Sequence, residues 1–319
     1  MTFPLLAALI AMIACVIVGC SAGAVVRRMR PSQAVLLVTA ASLAVSLASG
    51  IALTAIAVAV LAGLSSVAAD EHWSAAVIRA ELPIPVWLGV LAALTVPLLL
   101  LRAAVLTVTI AGAMVRAERL CRELRAGAGP IVIVDDDSAD AYTVAGLRGC
   151  VVICRRLFRE LSTEERRVLT AHELSHLDHR HHLFVHIADI AVAANPLLRP
   201  VSSAVRLGVE RWADEDAATA LGDRRRAGLA LARVALLRSA LTAVPTGSGS
   251  SRVWSDFPLG RLGIAGSQVA SRVQALLQPA PRNSTGRLVS AVGLAIVVLA
   301  TGLASLDHIQ EAIESAAGR

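Results

Sequence analysis

The chain has 319 residues, of which 56% are hydrophobic, and its mean hydropathy is +0.67. That value lies above the usual soluble range and calls for several apolar segments. The net charge of +6 comes with only 3% aromatics, and no basic stretch is interleaved with stacking rings, which excludes a nucleic-acid-binding role.

Uncharged runs of about 20 residues read as membrane helices. Three precede residue 116, at Phe3–Val26, Ser32–Ala69 and Pro83–Val115, and a fourth lies at Leu288–Leu306. The expected spans are therefore about 3–26, 34–66, 84–115 and 288–306. Arg102 lies in the third run, where a long side chain snorkels to the interface or the helix ends near it. The first run has no positive n-region, so it reads as an anchor with its N-terminus outside rather than a cleaved signal. Its IVGC stretch (Ile17–Cys20) has only a loose likeness to a lipoprotein cleavage site.

Arginine in the short loops sets the orientation. Arg27, Arg28 and Arg30 follow the first span, and Arg116, Arg119, Arg122 and Arg125 follow the third. Acidic residues dominate the second loop (Asp70, Glu71, Glu81) and the tail (Asp307, Glu311, Glu314). Both termini are then outside the cell membrane, residues 116–287 are cytoplasmic, and 307–319 form a short extracytoplasmic tail. In that reducing compartment Cys121, Cys150 and Cys154 are expected to stay unpaired, with Cys150 and Cys154 as packing residues on one face of a strand.

From Pro130 the pattern changes. Pro130–Asp137 is a β-rich run ended by an acidic turn, and Ala141–Gly146 with Cys150–Cys154 reads as a strand pair. Ser162 followed three residues later by Glu165 is a capping-box signature, with Val168, Leu169, Leu174 and Leu177 continuing at helical spacing. A shorter apolar stretch, Leu183–Leu198, holds His186 and Asp189, is broken at Asn195-Pro196, and is too short for a span. It reads as a buried or membrane-grazing helix. Another helix is expected from about Val201 through Asp216. PTGSGSSR (245–252) reads as a flexible loop and PAPRNSTGR (279–287) as a linker to the last span. The sequon at Asn283 is expected to be inert on the cytoplasmic side.

Six of the eight histidines fall between His172 and His186. His172 and His176, four apart on a helix, project from one face as two zinc ligands do. Glu173 between them is angled to act as general base toward a water. Downstream, Glu210 and Asp214 are again four apart. The glutamate can complete a His₂Glu site for one zinc ion, and the aspartate can accept the free N–H of a ligand histidine. His179, His181 and His182 read as a polar helix end, with Arg180, facing water or headgroups. Peptide-bond hydrolysis follows from such a site. Ala141–Gly146 is the expected strand for pairing with extended substrate, and Tyr142, Arg211 and His186 are the candidates for stabilising the oxyanion or holding substrate.

HELSH (172–176), ANPLLRP (194–200) and ERWAD (210–214) resemble the BlaR/MecR-type family of integral-membrane zinc metallopeptidases and, more distantly, HtpX-type and CAAX-prenyl-protease families. The resemblance implies a mainly α membrane protein with four transmembrane helices and a cytoplasmic α+β gluzincin domain between the third and fourth. Carried over by position, His172, His176 and Glu210 would bind zinc, Glu173 would be the base and Asp214 a supporting residue. The chain departs from the family in two ways: it carries no β-lactam-sensing domain after the last span, and the His179–His182 run replaces the usual arginine and aspartate after the motif. The expected activity is zinc-dependent endoproteolysis of a protein or peptide at the bilayer. A transcriptional repressor is one target, and membrane-protein quality control of the HtpX type is the alternative. A metal-sensing or transport protein is the rival of another class, and it would require His179, His181 and His182 rather than Glu173.

Overall fold

The computed structural model describes residues 2–125, 129–135, 140–242, 261–262, 269–281 and 285–318. The expected loop at 245–252 lies outside the described residues, as do 136–139 of the acidic turn and 282–284 of the linker, with the sequon.

Five helices come first: α1 (Phe3–Arg28), α2 (Pro31–Ala62), α3 (Ser65–Glu71), α4 (Ala75–Glu81) and α5 (Val86–Arg125). Pro31 opens α2 at a first-turn position, where its missing N–H costs nothing. The loop expected after the second span is folded as α3 and α4. The last helix, α12 (Thr285–Ala316), continues well past Leu306. Segments of α1, α2, α5 and α12 are long and apolar enough to cross a membrane, with window hydropathies of 2.7, 2.3, 2.2 and 1.3.

Between α5 and α12 lie β1 (Ile131–Val134), β2 (Ala141–Val144), β3 (Cys150–Cys154), α6 (Arg155–Glu160), α7 (Thr163–Asp178), α8 (His181–Ala194), α9 (Arg199–Leu221), α10 (Arg224–Thr242), β4 (Arg261–Leu262) and α11 (Val269–Leu277). The sheet order is β1-β3-β2-β4, with β1 parallel to β3 and the other pairs antiparallel. The β2–β3 turn needs glycine: Gly149 has φ of 54°, and a Cβ there would lie 2.7 Å from both Val144 O and Leu177 Cδ1. At the start of α7 the capping box is complete, with Ser162 accepting from the Glu165 N–H and Glu165 accepting from the Ser162 N–H.

The helix pair α8–α9 enters the bundle. Asn195, at the bend between them, donates to Cys15 Sγ (3.1 Å) and Ser49 Oγ (2.8 Å), near the midpoints of α1 and α2. Val201, Val205 and Val209 of α9 pack with Val26, Val35 and Val185 in one core. A second core lies beneath the sheet, where Val151, Ile153 and Leu169 meet Ala217, Leu231 and Leu276. On the sheet's other face Tyr142 and Val152 meet Cys121 of α5. Cys121 and Cys150 are disulfide-bonded there, with Cα atoms 5.7 Å apart, which overturns the expectation of unpaired cysteines. The compartment argument said nothing about proximity, and the end of α5 packs directly over the first residue of β3.

Candidate metal centre

Helices α7 and α9 face each other across the site. Because residues four apart share a helix face, α7 presents His172 and His176, and α9 presents Glu210 and Asp214 opposite them. His172, Glu173 and His176 are fully buried and Glu210 nearly so. The Nε2 atoms of the two histidines are 3.3 Å apart, and Glu210 reaches them at 3.7 Å (Oε2 to His172) and 3.5 Å (Oε1 to His176). Four-coordinate zinc with bonds near 2.1 Å separates its ligand atoms by about 3.4 Å. The separations are close to that length, the two Glu210 distances belonging to different oxygens, and the cluster His172–His176–Glu210 fits a zinc site.

The surroundings are charged and dry. Asp214 Oδ1 lies 3.1 Å from His172 Nδ1. Arg272, on α11, bonds both carboxylates: Nη1 to Glu210 Oε2 at 2.7 Å, Nε to Asp214 Oδ2 at 2.7 Å and Nη2 to Asp214 Oδ1 at 2.6 Å. Burial alone would raise the Asp214 and Glu210 carboxyls, but the Arg272 guanidinium holds both below the usual carboxylate range. Burial likewise opposes charge on His172, yet its contacts with Asp214 and Glu210 outweigh it and push His172 up to about 9. His176 lacks a bonded carboxylate, and burial pushes it down to about 3.

Glu173 lies on the β2 side of the cluster. Its Oε1 is buried without a hydrogen-bond partner among the described residues, and burial pushes its carboxyl up to about 7. Thr143 Oγ1 lies 3.0 Å from Glu173 Oε2 and 2.8 Å from Glu173 O. A hydroxyl has one proton, so it donates to one of these oxygens at a time.

The structure thus brings His172, Glu173, His176, Glu210 and Asp214 together. Tyr142 is buried on the sheet face toward α5, because strand residues alternate and its neighbour Thr143 takes the position facing Glu173. Arg211 donates to Val26 O at the end of α1. His186 stands one turn along α8 from His182, their rings 6.1 Å apart. On the expected substrate strand, Thr143 and Val144 already pair with β4, so an incoming backbone must displace β4 or pair beyond it.

The histidine run needs correction. His179 is exposed, as expected, and it stacks on Trp212 (4.6 Å) and pairs with Asp216 (3.1 Å). His181 and His182, expected to face water or headgroups, are buried. His181 Nδ1 lies 2.9 Å from His176 Nδ1. Sequence reasoning also missed Thr143 and Arg272. Strand alternation could have exchanged Tyr142 for Thr143, but nothing local marks Arg272, which stands 58 residues beyond Asp214.

No curated protein and no solved structure matches the chain. Residues 114–199, a stretch that includes His172, Glu173 and His176 and stops short of Glu210, match the model of peptidase family M48, and this match indicates a metallopeptidase.

Proposed function

We propose that the chain is an integral-membrane zinc endopeptidase, with His172, His176 and Glu210 as ligands and Glu173 as general base. The observation that carries this reading is the convergence of three buried donors within 4.8 Å of one another, next to a carboxylate that is not among them. Zinc held there would polarise a scissile carbonyl and acidify a water. Glu173 takes the proton from the attacking water and returns it to the departing amine. Thr143 steadies its second oxygen, and Asp214 holds the ring of His172. The arginine pattern supports a site at the cytoplasmic side, with both termini outside; the Cys121–Cys150 bond counts against a reducing surrounding for it. There the substrate is a protein presented at the membrane, and a repressor-type regulatory protein is the target we favour.

The full-length protein in detergent tests this. Glu173→Ala should keep bound zinc and lose peptide cleavage, whereas Glu210→Ala should lose much of both. Cleavage undiminished in the Glu173→Ala protein would refute the mechanism. Comparing membrane and cytosolic proteomes of cells carrying wild-type or Glu173→Ala protein names the substrate. Accumulation of damaged membrane proteins instead of one regulatory protein would replace the repressor-type target by quality control.

A further inference from the structure

The hydrogen-bond inventory around His176 has one proton and two nitrogens. His176 turns Nε2 toward His172 and Glu210, at 3.3 and 3.5 Å. A neutral imidazole that offers its Nε2 lone pair to a cation carries its proton on Nδ1. That proton meets Nδ1 of His181 at 2.9 Å, with the two rings edge-on at 83° and both residues fully buried. His181 Nδ1 must then accept, and its own proton sits on Nε2, a buried atom that has no hydrogen-bond partner among the described residues.

The backbone explains how His181 reaches this position. Helix α7 ends at Asp178, and Arg180 adopts a left-handed conformation (φ 51°, ψ 46°) before α8 begins. On an uninterrupted helix a residue five places after His176 would point about 140° away around the axis. The left-handed residue breaks that phase and returns His181 beneath the ligand ring. Trp212 then closes over it, with ring centroids 4.9 Å apart.

We propose that His181 is a positioning residue of the metal site: its Nδ1 accepts the Nδ1–H of His176 and so fixes the tautomer and ring plane of that ligand. The two ligand histidines are supported differently, His172 by the carboxylate of Asp214 and His176 by a neutral ring. The inference rests on the zinc reading above and deepens it.

Its test is zinc affinity of the full-length protein, by competition with a chromophoric chelator, which requires no substrate. His181→Leu removes the acceptor and should weaken zinc binding by about 10- to 100-fold. His181→Asn places an amide oxygen near the former Nδ1 and should bind within about threefold of wild type. His181→Gln carries the same amide one bond too far and should fall with the leucine variant; it also decides the matter if the leucine variant does not fold. A filler role predicts a different order, set by volume. Wild-type affinity in the leucine or glutamine protein, or a loss in the asparagine protein as deep as in leucine, would overturn the proposal. Glu210→Ala is the control. Undiminished affinity there would instead bring down the zinc reading itself.

Discussion

Helix α9 buries two faces by opposite means. Toward α1 and α2 it presents Val201, Val205, Gly208 and Val209, and the contact is apolar and close. Toward α7 it presents Glu210 and Asp214, equally hidden from water but held by Arg272 and the histidines. The first face is stable because nothing in it needs a partner. The second is stable only while every charge keeps one, since a buried ion without its counterpart costs far more than a lost apolar contact. One face is therefore sensitive to volume and the other to charge.

Arg272→Ala should break the polar face most severely. It leaves two buried carboxylates short of a cation, a loss of about 3–5 kcal/mol in the metal-free protein. Saturating zinc should restore part of it, because the ion binds the folded site. Thermal unfolding in detergent with and without zinc reads both effects, and an unaltered midpoint without zinc would contradict the account. Gly208→Leu attacks the apolar face. A Cβ there would lie 2.6 Å from Val35 Cγ2, so α9 and α2 must separate, at about 1–3 kcal/mol. Zinc should shift this variant no more than wild type; a selective zinc rescue would mean the two faces are not independent. The last test reads the polar face through pH. His172, raised to about 9, is protonated in the metal-free site at neutral pH, and His176, lowered to about 3, is not. A cation must displace the His172 proton. Zinc affinity should then fall about tenfold for each pH unit below 9 and level off above it. Calorimetry in buffers of different ionisation heat should find about one proton released per zinc near pH 8.

Much of the polar face was legible in advance because it is local. Four-residue spacing on each of two helices depends only on helical periodicity, and a capping box at Ser162 sets where the first begins. The break at Asn195-Pro196 was legible for the same reason. What escaped prediction depends on chain reversal or distant packing. His181 reaches the site through one left-handed residue, Arg180, at which no glycine announces the turn. Arg272 arrives from a helix whose sequence carries no motif, and its role exists only once α11 lies against α9. The Cys121–Cys150 bond depends on the end of α5 resting on β3, a contact that hydropathy cannot register.

The packing of α8 and α9 against the bundle of α1, α2 and α5 has a consequence for how the protein can be divided. The arginine pattern alone marks 116–287 as a segment to excise whole. Yet Val201, Val205 and Val209, on the helix that carries Glu210, have α1 and α2 as their wall, and Arg211, next to Glu210, is bonded to Val26 O. Cutting the chain before the third long helix would strip that wall, uncover an apolar strip and loosen the carboxylate ligand together. The long apolar helices α1 and α2 and the helix that carries Glu210 share one core, so neither is whole without the other.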